Sequence, residues 1–140
     1  MWAHYADNYA GICIEYRASR LLRGLPDDAD LVRMAYGDLP PRITSRDSKY
    51  PEEAARKIFS QKKFSWAYER EWRILAPIGE VRISAKNVVH SIYIGSRVSD
   101  TNKERIASTF KESGIRLYEM NVKKYKHDWK RINRPPKKPN

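Results

Sequence analysis

The chain has 140 residues, 41% of them hydrophobic and 32% charged, with a formal net charge of +11. That length suits one domain burying roughly two thirds of the surface its unfolded chain exposes, and that balance excludes both a disordered chain and a membrane span, which needs ~18 apolar residues in a row. The single cysteine, Cys13, excludes an internal disulfide and a zinc site built on a cysteine pair; it reads as a small buried hydrophobe. No apolar stretch behind a basic start opens the sequence, so no signal peptide is read and the cytoplasm is the expected compartment. The charge is concentrated: residues 121–140 hold eight basic residues against Asp128 alone, leaving 20 basic and 16 acidic residues in the rest. Residues 1–122 therefore read as a single α+β domain. Residues 123–140 read as a basic tail whose last part is kept extended by Pro135, Pro136 and Pro139.

In chain order, Trp2, Tyr5, Ala6 and Tyr9 fall at i, i+3, i+4 and i+7, which predicts a short helix stopped by Gly11. Ile12, Ile14 and Tyr16 alternate with Cys13, Glu15 and Arg17, the period of a strand. A loop rich in Asp and Pro follows, then a second strand over residues 31–36 with Val32, Met34 and Tyr36 on one face, ended by Pro40 and Pro41. A helix is predicted over residues 51–63: Pro51 suits a first position, Glu52 and Glu53 sit at the positive dipole end, and Ala54, Ala55, Ile58 and Phe59 form an apolar stripe. Trp72, Ile74 and Ala76 alternate with Glu71, Arg73 and Leu75, giving a strand closed by Pro77 and Gly79, with Val81 and Ile83 as its hairpin partner. Residues 88–95 form a strand. Thr101 and Glu104 have capping-box spacing ahead of the stripe Ile106, Ala107 and Phe110, Gly114 stops that helix, and residues 115–122 form a further strand. This strand, helix, strand order predicts a parallel crossover. Together the elements predict an α+β fold with a single mixed sheet of about five or six strands and two or three helices.

Residues 64–73 concentrate the chemistry: Phe64, Trp66, Tyr68 and Trp72 are interleaved with Glu69, Glu71, Arg70 and Arg73. Taken as a strand entry, the run puts Glu69, Glu71 and Arg73 on one face. One reading is a sheet with its tryptophan face in the core and Glu–Arg pairs in solvent, worth roughly a few tenths of a kcal/mol. The other is a pocket wall, where an aromatic surface raises a carboxylate pKa or stacks on a flat ligand while arginine fixes an anion. A glutamate there serves as acid, base or stabiliser of positive charge. His4, Asp7 and Asn8, at i, i+3 and i+4, share the helix face away from Trp2 and Tyr9, as a catalytic base with its carboxylate or as a solvated pair. His90 reads as structural, His127 has no obvious partner, and the histidines are too scattered for a metal site. Gly95-Ser96-Arg97 lacks the glycines and lysine of a phosphate loop, yet stands before a helix start where backbone amides can meet an anion.

Trp2-Ala3-His4-Tyr5-Ala6-Asp7-Asn8 leading into Gly11-Ile12-Cys13-Ile14, then Tyr68-Glu69-Arg70-Glu71-Trp72-Arg73, then Ile92-Tyr93-Ile94-Gly95, resemble the bacterial domain-of-unknown-function family 2971. The likeness runs through that family's W-x-H-Y-A, Y-E-x-E-W-R and strand-to-glycine elements, over most of the chain up to about Met120. It implies an upstream region with an Asn-Asp-Pro-type motif, so the chain reads as the C-terminal part of a larger domain, with a second copy or a missing segment as expected partner. It implies no particular activity. A looser similarity, a histidine-tyrosine element early and a glutamate-bearing strand late, is to ADP-ribosyltransferase-like folds. That similarity implies that His4 holds a ribose, that Tyr5 and other aromatics sandwich nicotinamide, and that either Glu69 or Glu71 stabilises an oxocarbenium-like transition state.

Three functions follow as expectations. The first is a nucleotide-handling pocket for NAD or another nucleotide, with His4, Glu69 and Glu71 catalytic and Tyr5, Trp66, Tyr68 and Arg73 binding the ligand. The second is a nucleic-acid or acidic-partner module, in which Lys123, Lys124, Lys126, Lys130 and Arg131 meet phosphates while Tyr125 and Trp129 stack on bases; the same cations serve equally as a solubilising end. The third is a non-catalytic domain that depends on a partner chain.

Overall fold

A computed structural model describes residues 1–77, 79–80, 82–124 and 126–132. In chain order the elements are α1 (Trp2–Tyr5), β1 (Ile12–Tyr16), α2 (Ala18–Arg23), β2 (Asp30–Arg33), β3 (Ala35–Tyr36), α3 (Ser45–Lys49), α4 (Pro51–Phe59), β4 (Gln61–Lys62), a 3₁₀ helix (Phe64–Glu69), β5 (Trp72–Leu75), β6 (Val89–Ile94), α5 (Asp100–Thr109), β7 (Arg116–Lys123) and β8 (Lys126–Arg131). The fold is α+β. Its contacts divide it into two compact units: Met1–Arg23 with Ala85–Asn140, and Gly24–Ser84. Among the described residues the strands form one four-stranded mixed sheet and two two-stranded sheets, where a single sheet of about five or six was expected. None of the described helices is long and apolar enough to cross a membrane.

The first unit is built on the sheet β1-β6-β7-β8, in which β6 and β7 are parallel and the outer pairs antiparallel. The predicted crossover is present as β6-α5-β7. Alternation sends Ile92, Ile94 and Leu117 to one face, where they form a buried cluster with Val98 against Ile106 and Ala107 of α5 and Phe110 at its C-cap. The cap of that helix is Ser99, whose Oγ accepts from the Asn102 amide at 3.4 Å, so Thr101 lies inside the helix and not at its cap. Ser99 wins because its extended backbone lets the side chain fold back on the first turn.

On the opposite face Tyr93 stacks on Tyr118 with centroids 5.1 Å apart, Trp129 meets Tyr93 edge-on at 4.9 Å, and Trp2 lies 5.6 Å from Trp129. Lys126–Arg131, expected to belong to a tail, thus complete the sheet as β8, and Trp129 packs on it. Residues 133–140, with the three tail prolines, and Tyr125 lie outside the described residues.

The expected N-terminal helix lasts four residues. Asp7, Asn8 and Tyr9 take positive φ values of 43°, 49° and 72° and turn the chain back, so Asp7 and Asn8 do not share a helix face with His4. Short polar side chains tolerate this left-handed region better than most. The turn is held by main-chain bonds: Gly95 N–H donates to Gly11 C=O and Arg97 N–H to Tyr9 C=O, each at 3.0 Å.

In the second unit β2 pairs antiparallel with β5 and β3 parallel with β4. The predicted strand over residues 31–36 is split at Met34 because its partner changes there: Met34 N–H reaches Glu71 C=O at 3.1 Å, and Ala35 N–H reaches Ser60 C=O at 2.7 Å. Val32 and Met34 are buried as expected. Helix α4 stops at Phe59, not Lys63, and the chain passes into β4. The partner of β5 is β2; Ile83 lies in no strand, and Val81 is outside the described residues.

A Cβ added at Gly95 would lie 2.1 Å from the Tyr9 carbonyl oxygen and 2.9 Å from that of Gly11, both main-chain atoms. Gly95→Ala is expected to lose about 1–3 kcal/mol or more in urea unfolding. Gly37→Ala, whose nearest neighbour is the Gln61 amide nitrogen at 3.7 Å, should change by less than about 0.5 kcal/mol. Equal midpoints for the two variants would refute this seating of the turn.

Candidate functional site

The Glu-x-Glu-Trp-Arg run does not enter as a strand. Residues Phe64–Glu69 coil into the 3₁₀ helix, Arg70 takes a left-handed φ of 49°, and Glu71 precedes β5. Glu69, Glu71 and Arg73 converge nonetheless, through a residue that sequence reasoning passed over. The Lys62 ammonium bonds Glu69, reaches Glu71 Oε2 at 3.0 Å, and lies 4.9 Å from the centroid of the Trp66 ring. The helix expected over residues 51–63 would have included Lys62; the break after Phe59 places it at the centre of the cluster.

Arg73 donates from Nε to Glu71 Oε1 at 2.5 Å and from Nη2 to Oε2 at 3.4 Å, while its Nη1 donates to the Phe59 carbonyl at 2.9 Å. The Glu71 amide donates to Tyr36 Oη at 2.8 Å, tying the run to β3. The Glu69 side chain is only 3% exposed. A carboxylate so withdrawn from water needs a paired cation, and removing one partner of such a pair leaves an uncompensated charge.

These contacts correct both earlier pictures of the run. Trp72, expected to face the core, is 58% exposed, whereas Arg73 and Leu75 are the half-buried side of β5. The carboxylate pKa expected to rise falls instead at Glu71: hydrogen bonding from Arg73, then from Lys62, outweighs burial and holds it below the usual glutamate range. The same bond raises the Arg73 guanidinium. Glu71 is an ionised carboxylate fixed between two cations. Trp66 and Tyr68 stand beside each other with centroids 6.1 Å apart, Tyr68 exposed.

In the first unit His4 and Tyr5 are exposed on α1. His90, read as merely structural, belongs to a polar group: its Nδ1 lies 3.1 Å from Glu15 Oε2 and 3.1 Å from Ser91 Oγ, and Tyr93 Oη donates to Glu15 at 2.9 Å. Hydrogen bonds from His90 and then Tyr93 lower the Glu15 pKa. Strand pairing brings these residues together across β1 and β6, a proximity that the sequence separation hides. Cys13, expected to be buried, is exposed on the edge strand β1, and its thiol pKa is raised by partial desolvation and by Glu15, which disfavours the reactive thiolate.

The amides of Gly95 and Arg97, considered for anion binding, are already given to Gly11 and Tyr9. Lys123, Lys124, Lys126, Lys130 and Arg131 are exposed on the β7–β8 hairpin, Trp129 is half-buried, and His127 meets Tyr9 edge-on at 5.7 Å. Among the described residues no group of three His, Cys, Asp or Glu side chains is placed to hold a metal ion.

Asp47, not singled out from the sequence, is 1% exposed. Its carboxylate bonds the Lys57 ammonium and accepts from the Thr44 amide and hydroxyl, each at 2.7 Å. The Thr-x-x-Asp spacing was its signal.

Fold and cluster together define a small α+β protein organised around paired carboxylates. The chain belongs to the family described as a protein of unknown function (DUF2971), whose model matches residues 1–74, a range that includes His4, Glu69, Glu71 and Arg73. No curated protein and no solved structure matches the chain.

The Asp47 pKa is held well below the ordinary aspartate range, first by the Lys57 bond and then by Thr44. A folded-state pKa below the unfolded one stabilises the fold above the unfolded value, about 4, and that contribution disappears as pH falls through the depressed value. Asp47→Asn should therefore be less stable than the native chain at pH 7, with the difference shrinking on acidification below about pH 4. Urea unfolding across pH reads this; a constant difference would assign the acid sensitivity to other groups.

Proposed function

We propose that the second unit is a nucleotide-handling module centred on Glu71, with NAD or another nucleotide as ligand. The observation that carries this reading is an ionised carboxylate, locked by Arg73 and Lys62, beside the partly open ring pair Trp66 and Tyr68. A fixed negative charge next to aromatic surface stabilises a flat ring that bears or develops positive charge, and it does so without a proton transfer. In this reading Glu71 is the electrostatic stabiliser, Arg73 orients it, Glu69 anchors Lys62, and the aromatics stack on the ligand. His4 and Tyr5 belong to the first unit, and the module proposed here is drawn from the second unit alone.

Calorimetric titration of the full chain with NAD, AMP and ATP is expected to give saturable heat for at least one of them. Glu71→Gln should weaken that binding about tenfold, the worth of a charge-assisted interaction. Absence of heat with the native chain sinks the proposal.

A second reading, binding of nucleic acid, is favoured by the five exposed cations of the β7–β8 hairpin. Trp129 packs on Trp2 and Tyr93, so phosphate contacts rather than stacking by that ring support it. Cations on an edge strand also keep a foreign strand from pairing there, which is the competing explanation. Because deleting residues 123–140 would remove β8 from its sheet, charge reversal is the cleaner test. Lys124→Glu with Lys126→Glu should abolish a salt-sensitive retention of DNA or RNA on filters. A native chain that retains neither at low salt ends this reading.

A further inference from the structure

The first unit contains a cleft that neither reading above uses. It encloses about 530 Å³, within the ~300–1,000 Å³ typical of small-molecule sites, and opens where the parallel strands begin: Val89 starts β6, and Ser113 and Ile115 lead into β7. Arg17, just ahead of α2, and Arg20 within it form the cationic part of the wall.

Both guanidinium groups are positioned by main-chain carbonyls. Arg17 Nη1 donates to Asn87 at 2.8 Å and to Val89 at 3.4 Å, and Arg20 Nη1 donates to Lys86 at 3.2 Å. Neither meets a carboxylate among the described residues, whereas Lys57, Lys62, Arg73 and Lys103 all do. None of the described residues lining the cleft is acidic. Two positioned cations without a counter-charge among the described residues favour an anion.

Nη1 is the nitrogen each arginine gives to the fold, which leaves the rest of the fork for planar, bidentate recognition of an oxyanion. Asn87 also lines the cleft, in a left-handed turn (φ 55°) that asparagine tolerates. Val89 and Ile115 add an apolar wall against which an organic moiety can lie.

We propose that this cleft binds the phosphate of a small phosphorylated molecule, with Arg17 and Arg20 clamping the dianion and the Asn87 amide donating to it. The site lies wholly in the first unit and does not depend on Glu71, so either proposal can fail alone.

The test is an amide ¹H–¹⁵N titration of the full chain with inorganic phosphate, against chloride at matched ionic strength and against succinate. Resonances of Asn87, Val89 and Gly114 should move and saturate with phosphate, not with chloride. Arg20→Gln, which gives up one carbonyl bond only, should need about tenfold more phosphate. The double variant Arg17→Gln, Arg20→Gln should lose saturation, with its thermal midpoint recorded to confirm folding. Shifts no different from chloride, saturation unchanged in Arg20→Gln, or saturation by succinate with phosphate silent would each overturn the proposal.

Discussion

A carboxylate taken out of water must find a cation or a set of donors, and the second unit is organised by that requirement. Glu69 and Asp47 are almost wholly buried, and each is met by a lysine, Lys62 of β4 and Lys57 of α4. The two lysines bracket the end of α4. Because the helix stops at Phe59, Lys57 points from its last turn to Asp47 on α3, while Lys62 leaves in an extended segment and reaches Glu69 and Glu71. The length of one helix therefore decides how two buried acids are neutralised. Without Lys62, the 3₁₀ helix and the start of β5 would carry two neighbouring carboxylates that had lost a shared cation.

The first unit answers a different constraint, the close approach of two backbones. The Tyr9–Gly11 turn lies so near Gly95 that no side chain fits between them, and three successive left-handed residues are the conformational cost of that path. Once seated, the turn leaves Trp2 against Trp129 and Ala6 buried beneath Gly11. The W-x-H-Y-A element thus divides by position: Trp2 and Ala6 serve packing, while His4 and Tyr5 are exposed.

Much of this was legible from periodicity. The strands β1, β6 and β7 and the packed stripe of α5 follow from alternation of two and spacing of three to four, because a long element with one buried face writes its period into the sequence. The short elements were not legible. Strand β3 and strand β4 have two residues each, too few for a period, and α3 is one polar turn whose buried member is an aspartate. For the site, the sequence pointed to Glu69, Glu71 and Arg73 but mistook how they meet, since a 3₁₀ helix with a left-handed residue after it rotates side chains in a way that strand alternation cannot anticipate. Lys62 and the Glu15–His90–Tyr93 group were hidden for a simpler reason: their partners are supplied by chain folding and not by local spacing.

The ionisation of Glu71 narrows what the cluster can do. A glutamate whose pKa is depressed is deprotonated at neutral pH, so it is a poor general acid, and its lowered basicity makes it a weak general base. Two cations and two carboxylates also balance, which leaves the cluster with an oriented field but little net charge to attract a ligand from a distance. Long-range steering is therefore not its strength. What remains is short-range: a carboxylate already fixed in place, needing no reorganisation when positive charge appears beside it, and aromatic surface that supplies contact area. A ligand that suits such a place is held by its flat ring first and by its charge second, and for that reason the nucleotide reading rests on Trp66 and Tyr68 as much as on Glu71.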